Sequence, residues 1–252
     1  DASYAIDDVD AWDMSSVRRT ISKIRPDWVL NCIGIIKQLD EAKNAKATIY
    51  INALFPHLVC ESAAEAGARV IQVSTDCVFS GNRGDYVEED LPDAEDLYGR
   101  TKYLGEVTYD HALTLRTSIV GRDLFSNVSL IDWFLSQSQK RVRGYTQAIY
   151  TGLTTRALSE EIWRLMSQYD HLHGLYHVSS SKISKFDLLS LVNRLFKAGV
   201  ALEPLDSVWC DRSLCSKRYQ HDTHFVPPSW EQMVVAMAND TTPYQRFRDG
   251  HD

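Results

Sequence analysis

"ARVIQVST", residues 68–75, is the stretch from which the architecture can be read outward. It is a short β-branched apolar run that opens after Gly67 and ends in two hydroxyl residues, Ser74 and Thr75, so it reads as a buried strand. Before it, "ATIYINALFPHLVCESAAEAG" (47–67) carries apolar residues at helical spacing and closes on Gly67, a residue suited to the left-handed position after a helix. Further back, "DWVLNCI" (27–33) follows Pro26 and predicts another buried strand, and "SSVRRTISKI" (15–24) predicts a helix capped by Ser15 or Ser16. On the other side a polar loop runs through Pro92 to a helix containing "LYGRTKYLGE" (97–106), then to a strand "ALTLRTS" (112–118). Strand alternating with helix predicts an α/β fold, a Rossmann-like doubly wound parallel sheet.

Beyond residue 121 the alternation loosens. A helix around "SLIDWFLSQS" (129–138), a strand "GLYHVSS" (174–180), a helix "KFDLLSLVNRLF" (185–196) and a short helix after "PPSW" (227–230) predict a smaller C-terminal portion. The expected division is a dinucleotide-binding part over 1–121, with returning segments near 145–180, and a mainly substrate-binding part over 122–252. The tail "TPYQRFRDGHD" (242–252) is polar and expected to fray.

The formal charge of −7 argues against a broad nucleic-acid or anionic-membrane surface. No apolar run approaches the roughly 18 residues of a membrane span, and a cytoplasmic location is the expectation. Five scattered cysteines without a C-x-x-C pair suggest reduced thiols, and the histidine pairs at 171/173 and 221/224 have no further ligand in register, so no metal site is expected.

Tyr98 and Lys102 stand four apart, on one face of their helix. A tyrosine hydroxyl is a usable acid at neutral pH, and a nearby ammonium is expected to lower its pKa by favouring phenolate. Such a group protonates a ketone oxygen while hydride arrives at its carbon. A third group, Thr75, ends the strand at the carboxyl edge of the sheet, where open α/β sheets bind ligands.

"VSTDCVFSG", the run from Tyr86 to "YGRTKYLGE", and "LRTS" resemble the extended short-chain dehydrogenase/reductases, within them the dTDP-4-dehydrorhamnose reductase-like branch. "RPDWVLNCIG", "INALFPH", "GLTT", "HGLYHVSSSKISKFDLL" and "DRSLCSKRY" extend the resemblance over nearly the whole chain. The resemblance implies a catalytic set of Thr75, Tyr98 and Lys102, with Asp76 as the nearest spare acid. It implies NADP or NAD as cofactor, passed by Asp10, Asn31, Cys32, Ile33, Gly34, Asn52, Ser74, Tyr98 and Lys102, with Arg116-Thr117-Ser118 on the cofactor's far side. It also implies a nucleotide-sugar substrate met by Cys77, Ile119, Arg143, Gln147, Thr154 and Arg212, and a possible homodimer. "QKRVRGYTQ" (139–147) is a local cationic cluster that suits a diphosphate, and equally a solvated loop.

Three departures qualify what the resemblance implies. The glycine-rich turn G-x-x-G-x-x-G that holds a pyrophosphate is missing, as though the sheet lacks its first β-α unit; a segment outside the given sequence is the expectation. Cys77 stands where the reductases carry Tyr, and Ile119 where they carry Trp, which points to a different substrate or to a changed role for the second proton donor. The Asp-Glu pair of the related dehydratases is absent after Thr75, which disfavours dehydration. Three readings remain: reduction of a 4-keto group on a nucleotide-linked deoxysugar, a non-catalytic module like the regulatory β subunit of methionine adenosyltransferase, or another sugar-nucleotide modifier such as an epimerase.

Overall fold

The computed structural model describes residues 9–37, 40–125 and 128–249. In chain order the elements are α1 (Met14–Ile24), β1 (Trp28–Asn31), α2 (Ala45–Ile49), a π-helical turn (Tyr50–Leu54), α3 (Phe55–Ala66), β2 (Arg69–Thr75), α4 (Leu97–Leu104) and β3 (Ala112–Thr117). There follow β4 (Ile119–Val120), α5 (Leu130–Leu135), β5 (Arg141–Tyr145), β6 (Ala148–Tyr150), β7 (Leu153–Thr154) and α6 (Thr155–Gln168). The chain ends with β8 (Gly174–His177), β9 (Ile183–Ser184), α7 (Lys185–Phe196), β10 (Ala201–Leu205), β11 (Cys210–Asp211), α8 (Lys217–Thr223), α9 (Trp230–Ala238) and α10 (Tyr244–Asp249).

Contacts divide the chain into two units. The first comprises residues up to Val78, Pro92–Arg116 and His171–Tyr176. It holds a parallel sheet in the order β1-β2-β3-β8, so the expected α/β Rossmann-like class is observed. β1 pairs with β2 from Trp28 opposite Arg69 to Asn31 opposite Gln72, and ends the strand order among the described residues. α1 and α3 share a core of Val17, Ile21, Phe55, Val59 and Ala63 with Val70 of β2. α1 follows from apolar positions four apart, Val17 and Ile21. Its cap is Asp13, whose carboxylate accepts from the Ser15 amide, and not Ser15 or Ser16.

The long helix expected over 47–67 is three pieces, with the π turn inserted between α2 and α3. Its predicted end holds: Gly67 is left-handed, φ 74°, and its amide returns to α3. β2 and β3 match their predicted runs to within a residue, and β3 is buried throughout.

The second unit comprises Phe79–Leu91, Thr117–Asp170 and His177 onward. Small sheets recur in it: β5 pairs parallel with β10, β6 with β11 and β4 with β7. α5 is shorter than the sequence predicts, Leu130–Leu135, capped by Ser129. The tail does not fray over its described length: it forms α10, and Arg248 reaches the buried carboxylate of Asp132 at 2.9 Å. No helix among the described residues is long and apolar enough to cross a membrane.

Candidate functional site

The first unit builds its polar centre at the carboxyl ends of β1 and β2. Asn31 closes β1, is buried, and donates to the Gln72 side chain at 2.7 Å while accepting from the Ile33 amide at 3.1 Å. That turn directs the chain to Gly34 and Ile35. Asn52, in the π turn, then clasps Ile35 through both main-chain groups, at 2.8 and 2.9 Å. A π turn at a site is a common device, because the extra residue re-aims a side chain that a regular helix would direct elsewhere. A β-carbon on Gly34 would lie 3.4 Å from Asn52 Oδ1 and 3.9 Å from Lys102 Nζ, so the glycine leaves an opening beside both groups.

α4 is capped by Asp96, which accepts from the Gly99 amide at 2.9 Å. Its first turn packs tightly: a β-carbon on Gly99 would fall 2.3 Å from the Cys77 carbonyl oxygen. This places Tyr98 by the turn after β2. There the Thr75 hydroxyl donates to Asp76 at 3.2 Å and accepts from the Cys77 amide at 3.1 Å. The Thr75 hydroxyl is near enough to the Tyr98 phenol to draw its pKa down. Thr75, Asp76 and Tyr98 are thus brought together as the sequence suggests.

The phenol's electrostatics differ from expectation. Burial pushes Tyr98 well above the ordinary tyrosine value, the negative groups Cys77, Asp76 and Asp96 push it further, and only the Thr75 hydroxyl pulls it back. The phenol is therefore held protonated and not drawn toward phenolate as Lys102 was expected to do. Lys102 is buried and donates to the Val73 carbonyl at 2.8 Å. Burial pulls its pKa down to about 8, against the pull of Glu106 and Cys32 in the other direction.

Two charged residues at this site were missed from the sequence. Lys37 bonds Asp96 at 2.8 Å and sits 5.5 Å from the centroid of the Tyr98 ring, a cation–π distance. Glu106 accepts from Ser74 at 2.7 Å and from Arg116 through two bonds of 2.7 Å. Ser74 and Arg116 are committed to that carboxylate, and Arg116 is 2 % exposed. The spacing of four from Lys102 to Glu106 was the one local signal. Asp10 is exposed and caps its own turn by accepting from the Trp12 amide; Cys32 and Ile33 are exposed.

In the second unit, Ile119 is exposed on β4 and Gln147 is exposed after β5. Thr154 is buried and caps α6. Arg212 donates to the carbonyls of Phe79 at 2.9 Å and Ser80 at 3.2 Å. Arg143 lines a cleft of about 530 Å³ with Trp133, Gln137, Tyr145 and Lys185. Its neighbour Arg141 is paired with Glu203 at 2.9 Å. Among the described residues no group of three or more His, Cys, Asp or Glu is placed to hold a metal ion.

The chain is similar to known proteins over most of its length. It is 30% identical over 176 residues to the spore coat polysaccharide biosynthesis protein SpsK of Bacillus subtilis (strain 168), covering 68% of this chain and 61% of that protein, less than two thirds of its length. It is 27% identical over 248 residues to the dTDP-4-dehydrorhamnose reductase of Escherichia coli (strain K12), covering 89% of this chain and 83% of the relative. A crystal structure of dTDP-4-dehydrorhamnose reductase from Bacillus anthracis in complex with NADP shares the fold, with a TM-score of 0.80 at 21% identity over 91% of this chain and 86% of that one. The family described as the RmlD substrate binding domain matches residues 2–242, and the chain belongs to that family.

Proposed function

We propose that this chain carries the proton-donating centre of an NAD(P)H-dependent reductase acting on a 4-keto group of a nucleotide-linked deoxysugar. The observation that carries the reading is the half-buried Tyr98 phenol, set by the turn after β2 beside Thr75 and held protonated there. A group kept neutral by burial is an acid awaiting a base, and a ketone oxygen becoming an alkoxide is such a base. Tyr98 gives its proton to that oxygen, and the Thr75 hydroxyl orients it. The residues fit a nicotinamide ribose: Gly34 leaves space beside Asn52 and Lys102, and the Lys102 ammonium, with one of its three N–H bonds on Val73, has donors for hydroxyl groups. Asn31, Gly34, Asn52 and Lys102 would hold that end of the dinucleotide, which supplies the hydride.

The second unit, taken by itself, carries a candidate surface for a nucleotide diphosphate. Arg143 and Lys185 offer cations for a diphosphate, and Trp133 and Tyr145 offer aromatic faces for a base, around one cleft. Relatives named for dTDP-4-dehydrorhamnose reduction support this substrate class. Cys77 and Ile119 are the positions where a sugar other than rhamnose would be read.

The test is NADPH oxidation by the full-length protein with a dTDP-linked 4-keto-6-deoxysugar, wild type against Tyr98→Phe. The phenylalanine variant is expected to lose about 10²–10⁴-fold in kcat with NADPH affinity retained. Full turnover by Tyr98→Phe rules out the tyrosine as acid, and wild-type protein that binds the dinucleotide but turns over no keto sugar supports a binding module.

A further inference from the structure

We propose that Lys37 is a positioning residue of this site: its ammonium, bonded to the carboxylate that caps α4 and set over the Tyr98 ring, ties the loop after β1 to the helix that carries the acid and fixes the tilt of the phenol. The inference rests on the reading above for what Tyr98 does, and not for how Lys37 holds it.

Asp96 uses its two oxygens differently. One accepts from the Gly99 amide at 2.9 Å and closes the first turn of α4, while the other takes the Lys37 ammonium at 2.8 Å. The same ammonium lies 5.5 Å from the centroid of the Tyr98 ring. A cation within about 6 Å of an aromatic face is drawn to it by the ring's quadrupole. Tyr98 is thereby held through its ring by Lys37 and through its backbone by the packing of Gly99 on the Cys77 carbonyl.

Lys37 reaches this position from a braced loop. Asn31 accepts from the Ile33 amide, Asn52 clasps Ile35 through both main-chain groups, and Lys37 follows two residues later. Gly34, whose opening faces Asn52 and Lys102, lies inside the same stretch. The segment offered to the ribose is therefore fastened to the π turn at one place and to the head of α4 at another.

Helix stability does not account for a lysine here. The start of a helix carries partial positive charge, so an ammonium beside it opposes the dipole that Asp96 complements. The pair is also open to solvent, with side chains 37 % and 45 % exposed, and pairs so exposed add little to stability. What the lysine supplies is direction. A proton donor has to be aimed at the oxygen it protonates, and small misplacements of a reacting group cost large factors in rate.

The experiment compares full-length wild type with Lys37→Met, Lys37→Arg, Asp96→Asn and the double variant Lys37→Met/Asp96→Asn. Asparagine caps a helix as well as aspartate does, but its amide nitrogen cannot accept from an ammonium, so Asp96→Asn keeps α4 and releases the lysine. The Tyr98 ring signals are followed by NMR in protein carrying labelled tyrosine and assigned by their loss in Tyr98→Phe. Lys37→Met and Asp96→Asn are expected to move them in the same direction, and Lys37→Arg, which keeps a cation able to meet both carboxylate and ring, to leave them near wild type. Loss of a positive and loss of a negative charge act oppositely on the ring, so a shared direction reports the ammonium leaving it. With NADPH and a dTDP-linked 4-keto-6-deoxysugar, each single variant other than Lys37→Arg is expected to lose about 10–100-fold in kcat, and the double variant no more than either. The KM for NADPH should stay near wild type, because Asn52 still holds Ile35. Tyr98 signals that stay in place in Lys37→Met, signals that move while kcat is unchanged, or losses that add in the double variant each overturn the proposal. If wild type turns over no keto sugar, the reductase reading falls alone and the ring signals decide the role of Lys37.

Discussion

Gly105 lies against the main-chain carbonyl of Asn52, so close that a β-carbon on the glycine would fall 2.0 Å from that oxygen. Its backbone, φ −93° and ψ 9°, suits any residue, so the glycine is there for space and not for conformation. The end of α4 is thereby seated on the π turn whose Asn52 clasps Ile35. Gly105→Ala is expected to destabilise the fold by about 1–3 kcal/mol through the forced shift. Urea unfolding checks it, and an unchanged midpoint with an unchanged slope would contradict the contact.

Lys102 should leave a signature in the pH dependence of stability. Its folded pKa, about 8, lies below the ordinary 10.5, so between those values the unfolded chain binds more protons than the native one. Stability contributed by this group therefore rises with pH across that window, and its burial penalty is complete below pH 8. Lys102→Met removes the penalty. The variant is expected to be more stable than wild type at neutral pH, by roughly 2–3 kcal/mol, with the advantage shrinking toward pH 10.5. Denaturant titrations at neutral and alkaline pH test the sign.

Tyr98 should remain a phenol well beyond the pH at which exposed tyrosines ionise, because burial dominates its environment. Ultraviolet difference titration of wild type against Tyr98→Phe is expected to show no missing ionisation in the ordinary tyrosine range. Loss of one tyrosine equivalent near pH 10 in the variant would mean that the phenol is exposed or paired with a cation.

The C-terminal helix α10 is held by charge. Arg248 meets Asp132 at 2.9 Å and the Asp123 carbonyl at 3.2 Å, while Arg122 bonds Asp132 at 3.0 Å and stacks 4.0 Å over Tyr244. Burial alone would raise Asp132, but the Asp123 amide, Arg248, Arg122 and Ser129 outweigh it and hold the carboxyl below its ordinary 3.8. The stability this gives is present above that value and lost as pH falls through the lowered one. Arg248→Ala is expected to cost about 1–3 kcal/mol and to speed amide exchange in 244–249. Exchange as slow as in wild type would show that the helix is held by other contacts.

The strand and helix alternation, the end of α3 at Gly67 and the elements that carry Thr75, Tyr98 and Lys102 are legible in the residues alone, because they depend on periodicity and on short spacings along one element. The π turn was invisible: an inserted residue leaves the apolar pattern of 47–67 helical while changing where Asn52 points. α10 has the local polarity of a frayed tail, and the partner that holds it, Asp132, lies more than a hundred residues earlier. The pKa shifts of Tyr98 and Lys102 depend on contacts distant in sequence. Ser74 is 32 residues from Glu106 and Arg116 is ten, and burial, which sets the pKa of both Tyr98 and Lys102, is a property of what packs around a side chain rather than of its neighbours in the chain.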